Sequence, residues 1–231
     1  MNKTSDIQLN THLKSVPLFS NLSDRQLNIL YKAGVINKSE KGNIIVHQHE
    51  PGDTFYIVIS GRAKVTLLNE DGKEIVLSVL KGGDFFGELS LLDNEPRSAN
   101  VIIVEDTSLF SLTRTQFYQL ISARPNILRK VLKEICTRLR DADEKIGSLA
   151  FLDVYGRTIR ILQQMAHDQG IKTRHGIEIS NAPTHQELSS MVGASREAIT
   201  RIIKILKENR NLVSYKGRRL VLREYSGKSL L

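Results

Sequence analysis

Between Asn43 and Leu112 the chain is broken every few residues by glycine, and that spacing limits what it can fold into. Apolar runs at 44–46, 55–59, 63–68, 75–80, 101–104 and 108–112 are separated by Pro51-Gly52-Asp53, Ser60-Gly61, Asp71-Gly72, Gly82-Gly83-Asp84 and Glu105-Asp106. Many short strands with turn signals at this interval predict an all-β sandwich or barrel. No segment long enough for a helical crossover lies among them, which argues against a parallel dinucleotide-binding sheet.

On either side of this region the apolar period changes from two to between three and four. Residues 23–33 predict a short helix: Ser23 caps it, Gln26 completes a capping box, and Leu27 and Leu30 form its stripe. Val16-Pro17-Leu18-Phe19 before it is suited to packing over the next layer. Residues 125–153 predict one long helix with Pro125 in its first turn. Its stripe of Leu128, Leu132, Ile135, Leu139, Ala142, Ile146 and Leu149 suits a coiled-coil seam between two copies. The plainer reading is a core helix packed on the β-region, and the two readings are compatible on different faces. A helix over 154–166, a polar loop over 169–176 and a short strand at Glu178-Ile179 follow. With 231 residues there is room for two modest domains. The divisions predicted are 1–124, a connecting helix and hinge at 125–153, and 154–231.

Charge separates these parts. Residues 1–153 hold 19 Lys and Arg against 19 Asp and Glu, whereas residues 154–231 hold 14 against 6. The entire formal charge of +8 therefore lies in the last third. A neutral body with a basic head predicts a nucleic-acid-binding regulator whose body senses something.

The basic part contains a helix-turn-helix pattern. Thr184 and Glu187 form a capping box, Leu188 and Met191 give the first helix a buried side, and Val192-Gly193-Ala194 is the turn. Ser195 caps the second helix, whose Ile199, Ile202 and Leu206 face inward. Arg196, Glu197, Thr200 and Arg201 then share the outer face. Arginine donates a bidentate pair to a guanine edge and glutamate accepts from a cytosine amino group, so this face suits major-groove reading. Thr184, His185, Gln186 and Ser195 are placed near phosphates. Residues 212–222 predict a β-hairpin whose basic tip, with Lys216 and Arg218, forms a phosphate-contacting wing.

In the β-region, Gly87-Glu88-Leu89-Ser90 and Pro96-Arg97-Ser98-Ala99 flank a short loop. The Arg97 fork matches two phosphate oxygens, Ser98 adds a donor, and Glu88 can accept from a ribose hydroxyl. A Glu88–Arg97 surface ion pair is an equal reading of the same spacing. The one cysteine, Cys136, permits no internal disulfide and no cysteine-held cluster within one chain. His47 and His49 do not make a metal site, and no metal is expected. There is no nucleophile–base set, metal triad or P-loop, so no enzymatic activity is expected. The start MNKTSDIQLN lacks a signal-peptide core, and no apolar run approaches bilayer length. A cytoplasmic protein without membrane association is predicted.

Three stretches in order, FGELSLLDNEPRSA (86–99), LAFLDVYGR (149–157) and THQELSSMVGASREAITRIIKIL (184–206), closely resemble the cyclic-AMP receptor protein and FNR superfamily of bacterial transcription regulators. The resemblance covers about residues 15–225. It implies an α+β fold: an N-terminal cyclic-nucleotide-binding β-roll (double-stranded β-helix, jelly-roll-like), a long dimerisation helix and a C-terminal winged helix-turn-helix. It implies that Arg97 and Ser98 hold a cyclic phosphate, that Glu88 contacts the ribose hydroxyl, and that Gly87 and Leu89 belong to the same cassette. It implies base contacts by Arg196, Glu197 and Arg201, and phosphate contacts by Thr184, Gln186 and Ser195. The partners implied are pseudo-palindromic double-stranded DNA, a second copy as homodimer, and RNA polymerase, which family activators touch near 169–176.

There is a departure where the family recognises adenine with a Thr-Ser pair on the dimer helix: here Ala142 and Asp143 stand. Neither reproduces both hydroxyl contacts, and an ionised Asp143 accepts without donating. The stretch LRDADEKIGSLAFLDVYGR also resembles a branch that includes cyclic-di-GMP-responsive members. The effector expected is therefore cyclic AMP or cyclic-di-GMP. Two other readings stay open: a DNA-binding regulator of the same family with a vestigial pocket, and a nucleotide-binding module without specific DNA readout. The N-terminal cysteine cluster of FNR-type oxygen sensors is absent.

Overall fold

The computed structural model describes residues 13–14, 16–69, 72, 74–209 and 212–223, and of Val213 the backbone alone. Asp71 of the predicted Asp71-Gly72 turn, Arg210-Asn211 before the predicted hairpin, and the N-terminal stretch MNKTSDIQLN lie outside the described residues. The chain divides into two compact units, Met1–Arg140 and Asp141–Leu231.

The first unit begins with a 3-10 turn, Pro17–Phe19, and helix α1, Asp24–Ala33. The Ser23 hydroxyl accepts from Gln26 N while the Gln26 side chain accepts from Ser23 N at 2.9 Å, the predicted capping box. Val16, Leu18 and Phe19 are buried, as the preceding apolar cluster requires. There follow β1 (Val35–Ser39), β2 (Ile44–Val46), β3 (Thr54–Leu68), β4 (Glu74–Lys81), β5 (Phe85–Phe86), α2 (Leu89–Asp93), β6 (Asn100–Thr113) and α3 (Arg114–Ala123). The strands form one antiparallel sheet in the order β1-β6-β3-β4, with β2 added on β6 and β5 on β3.

Two predicted strand breaks are absent. Ser60-Gly61 lies inside β3 and Glu105-Asp106 inside β6, and the two long strands pair along most of their length. The reason is a bulged ladder: the register shifts between Val58 and Ala63, and Gly61 takes φ +88°. A Cβ there would collide with Asp106 O and Thr107, so this glycine curls a continuous strand where the sequence reads as a turn. Helix α3 was also unread, although Thr113 and Gln116 form a reciprocal capping box in front of Phe117 and Ile121. β1 and α2 had no comparable signal.

Phe55, Ile57, Phe110 and Phe117 are buried between the sheet and the helices, and each contributes about 1.5–3 kcal/mol by leaving water. Val58, Ala63, Phe86 and Ile103 belong to a second cluster. Helix α4, Pro125–Phe151, ends two residues before the predicted 153. Its Ile127 and Val131 are buried with α1 and the sheet, and Leu128 and Ile135 pack against that cluster. Leu132, Leu139, Ile146 and Leu149 are 48–64 % exposed, so part of the stripe serves the core and the rest is uncovered.

The second unit holds the C-terminal turns of α4, then α5 (Val154–Gln169), β7 (Ile171–Thr173), β8 (Gly176–Ile179), α6 (His185–Val192), α7 (Arg196–Glu208), β9 (Leu212–Lys216) and β10 (Arg219–Leu222). Its antiparallel sheet runs β7-β8-β10-β9. The predicted loop at 169–176 is instead the end of α5 plus a hairpin strand: Ile171 pairs with Glu178, and Thr173 Oγ1 donates to Gly176 O at 2.8 Å. Ile159, Leu162, Leu188, Ile199, Leu206 and Leu220 form the core of this unit. Among the described residues no helix is long and apolar enough to cross a membrane.

Candidate functional site

In the first unit the cassette residues converge on Arg97. Its side chain is 7 % exposed, and its two terminal nitrogens donate to Gly87 O at 2.9 Å and Thr54 O at 2.7 Å. The Arg97 backbone is pinned as well: its carbonyl accepts from His49 N at 2.8 Å and its N–H donates to Glu50 O at 2.9 Å. Gly52 and Gly87 press against the guanidinium so closely that a Cβ on either would overlap it. Gly87 also takes φ +82°. Burial pushes the Arg97 pKa down, opposed by Tyr56 and Asp53, but a guanidinium keeps its proton. Two of its five donors are committed to carbonyls, which leaves capacity for an anion. Ser98 and Leu89 are exposed at the cassette.

Glu88 is 2 % exposed. The alternative Glu88–Arg97 ion pair is not formed: Glu88 Oε1 instead accepts from Arg138 of α4 at 3.0 Å, because the Arg97 fork is turned to Gly87 and Thr54. Glu88 Oε2 is buried without a hydrogen-bond partner. Burial raises the Glu88 pKa, and Arg138 pulls it back down. An unsatisfied buried carboxylate oxygen costs free energy that a bound donor relieves. A cation held in a glycine cradle and a carboxylate lacking a donor fit a ligand with an anionic group and a hydroxyl.

Two arginines here were missed from sequence. Arg138 also donates to Phe85 O at 2.7 Å and lies 4.9 Å over the Phe85 ring, joining the cassette to α4. Arg114 donates to Gly52 O, Ser90 O, Leu91 O and Asn94 Oδ1 at 2.6–3.2 Å, tying the loop beneath Arg97 to α2. Neither had a local signal, since each meets partners at least 20 positions away, apart from Arg138 with Glu134. Ala142 and Asp143 are exposed on α4 in the second unit.

The second unit brings the predicted DNA-facing residues together. Thr184 Oγ1 accepts from Glu187 N at 3.2 Å and the Glu187 carboxylate accepts from Thr184 N at 2.6 Å, closing the capping box of α6. Gly193 ends that helix with φ +70°. Ser195 Oγ accepts from Ala198 N at 3.2 Å and starts α7. Arg196, Glu197, Thr200 and Arg201 are exposed, while Ile199, Ile202 and Leu206 are buried. Lys216 is exposed at the hairpin tip. Arg218 is exposed but donates to Glu187 Oε1 at 2.8 Å, so it ties the wing to α6 as well as offering charge. Thr184, His185, Gln186, Arg196, Tyr215 and Gly217 line a concavity of about 280 Å³ where α6, α7 and the wing meet.

Among the described residues no group of three or more His, Cys, Asp and Glu is placed to hold a metal ion.

Residues 36–124 match the cyclic nucleotide-binding domain family, and residues 156–227 match the Crp-like helix-turn-helix domain family. The chain is 37 % identical to the cAMP-activated global transcriptional regulator CRP of Salmonella typhimurium, over 81 % of this chain and 89 % of that one. It is 32 % identical to the CRP-like cAMP-activated global transcriptional regulator of Mycobacterium tuberculosis, over 71 % and 73 % of the two chains. Among solved structures it matches the c-di-GMP responsive global regulator CLP of Xanthomonas campestris with a TM-score of 0.77 and 26 % identity, over 85 % of this chain and 97 % of that one. Sequence likeness over most of its length, with both domains in order, places this chain in the cyclic-AMP receptor protein and FNR superfamily of DNA-binding transcription regulators.

Proposed function

We propose that this regulator is a homodimer whose operator affinity is set by a cyclic nucleotide held in the first unit. The observation that carries the reading is the buried, unpartnered Glu88 Oε2 in the same cassette as the cradled Arg97. A cyclic phosphate takes the remaining donors of Arg97 and the Ser98 hydroxyl, and a ribose hydroxyl donates to Glu88 Oε2. Gly87 and Leu89 shape the loop around it. Arg138 reads the occupancy of Glu88 from α4, since the two share a salt bridge.

The uncovered Leu132, Leu139, Ile146 and Leu149 support pairing of two α4 helices. Ala142 and Asp143 lie in this stretch and contact the effector base. In the functional scheme, residues 1–124 sense, 125–153 dimerise and transmit, and 154–231 bind DNA. Arg196, Glu197, Thr200 and Arg201 read bases; Thr184, His185, Gln186, Ser195, Lys216 and Arg218 hold phosphates. Two-fold symmetry then calls for a pseudo-palindromic operator with half-sites about one helical turn apart. The effector acts through different affinities for two arrangements of the dimer.

Cyclic AMP is favoured by the named activity of the 37 % identical relatives, and cyclic-di-GMP by that of the 26 % identical structure and by the loss of the Thr-Ser pair. Calorimetric titration of the dimer with cyclic AMP, cyclic GMP and cyclic-di-GMP in parallel decides between them. One is expected to bind at micromolar concentration or tighter and to lose that binding in Arg97→Ala. Heat from none of the three would sink the nucleotide reading and leave a vestigial pocket.

A further inference from the structure

In the second unit, one hydrogen-bond pair determines how a histidine can meet an anion. The Thr200 hydroxyl donates to Arg196 O at 2.9 Å. It has one hydrogen, so toward His185 Nδ1, 3.1 Å away, it accepts. The neutral imidazole therefore carries its hydrogen on Nδ1, an assignment made from the network, and keeps a lone pair at Nε2. Tyr215 of β9 packs against the ring edge-on at 5.2 Å and donates its own hydroxyl to Pro183 O.

The charged groups around His185 favour an anion. Burial holds its pKa below the ordinary 6.5, and Lys207 and Arg196 of α7 push it the same way. Tyr215, pushed up to about 12 by burial, stays neutral. Glu187, on the same helix, is engaged by Thr184 N and by Arg218 of the wing. Among the described residues, those lining the concavity include Arg196, Thr184 and Gln186 and no carboxylate.

We propose that this concavity seats one phosphate of the DNA backbone against the imidazolium form of His185, so that duplex binding takes up a proton. The inference rests on the DNA-binding reading and adds a proton to it. A phosphodiester oxygen needs donors, and a neutral Nε2 offers it a lone pair; a proton there makes a charge-assisted donor. In the free chain Arg196 and Lys207 oppose that proton, and the phosphate charge offsets them. His185 accordingly titrates at higher pH when bound than when free. The added affinity is complete below the free value, which lies under 6.5, and is lost as pH rises through the bound value. Across that window affinity falls by up to about tenfold per pH unit per subunit.

The test uses the full chain, phosphate-free buffers of constant ionic strength, and a fluorescein-labelled duplex selected by the wild-type protein from a random library. Anisotropy is measured from about pH 5 to 8, and the His185 ring is followed by NMR with and without the duplex. Wild-type affinity is expected to fall with rising pH while the His185 titration moves up on the duplex. His185→Gln, which can still donate to Thr200 but takes up no proton, is expected to flatten the dependence. His185→Arg is expected to hold high affinity throughout. An unchanged slope in His185→Gln, or a His185 titration indifferent to the duplex, overturns the proton-linked subsite alone. A full shift with inorganic phosphate in place of the duplex overturns the assignment to the DNA backbone. No duplex captured by the wild-type protein overturns the DNA-binding reading beneath it.

Discussion

Arg97 is cradled by the backbone of Gly52, Thr54 and Gly87, and that makes two glycines as specific as the arginine. Gly52 and Gly87 have no Cβ because the guanidinium occupies the space where one would be. Gly52→Ala is therefore expected to displace Arg97 and to weaken effector binding at least tenfold. Calorimetry of the full-length variant checks this, and wild-type affinity would refute the cradle. The candidate residues from Gly87 to Ser98 stand out in the sequence because they lie in one short stretch. Arg138 does not, because its contact with Glu88 spans 50 positions and depends on how α4 lies on the sheet. Arg114 was hidden for the same reason, with partners as far away as Gly52.

At the scale of elements, caps and turns carry much of the local specification. Thr184→Ala removes the hydroxyl that accepts from Glu187 N and is expected to cost about 1 kcal/mol. Thermal unfolding monitored by circular dichroism reads it as a drop of a few degrees. An unchanged midpoint would mean that Glu187 and Arg218 hold the start of α6 alone. On α4 the buried and uncovered faces separate two kinds of contribution. Leu139 and Ile146 are 62 % and 64 % exposed, so the double change Leu139→Glu with Ile146→Glu leaves the core of the subunit intact. Sedimentation is expected to show a folded monomer with weakened operator binding; a dimer persisting at micromolar concentration would rule out this seam. Elements also mark where local reading failed. The glycine at 61 has the composition of a turn and the geometry of a bulge, because β6 supplies pairing partners on both sides of it.

For the whole molecule, the function proposed above requires that occupancy of the pocket in the first unit change the DNA affinity of α7. Within the second unit, Arg157 of α5 donates from Nε to Val192 O at 3.0 Å and from Nη1 to Leu152 O at 2.8 Å. One side chain thus joins Leu152, just past α4, to Val192 at the end of α6. Nearby, Arg160 binds Glu144 at 2.8 Å and Ser148 at 2.7 Å, fastening α5 to α4. Arg157→Ala is expected to leave effector affinity within twofold of wild type and to reduce the gain in operator affinity that the effector produces. Calorimetry and anisotropy together test it; a full gain retained would remove Arg157 from the link. Local spacing alone specified the order of parts, the charge asymmetry and both capped helices of the helix-turn-helix. All of these are written in local spacing, where side chains a few positions apart meet through helix or turn geometry alone. It took the folded chain to show that β3 and β6 run unbroken, that Glu88 faces Arg138 and keeps one bare oxygen, and that His185 meets Thr200 across two helices. Those facts depend on sheet register and helix packing, which bring distant residues within hydrogen-bond reach and leave no mark in local spacing.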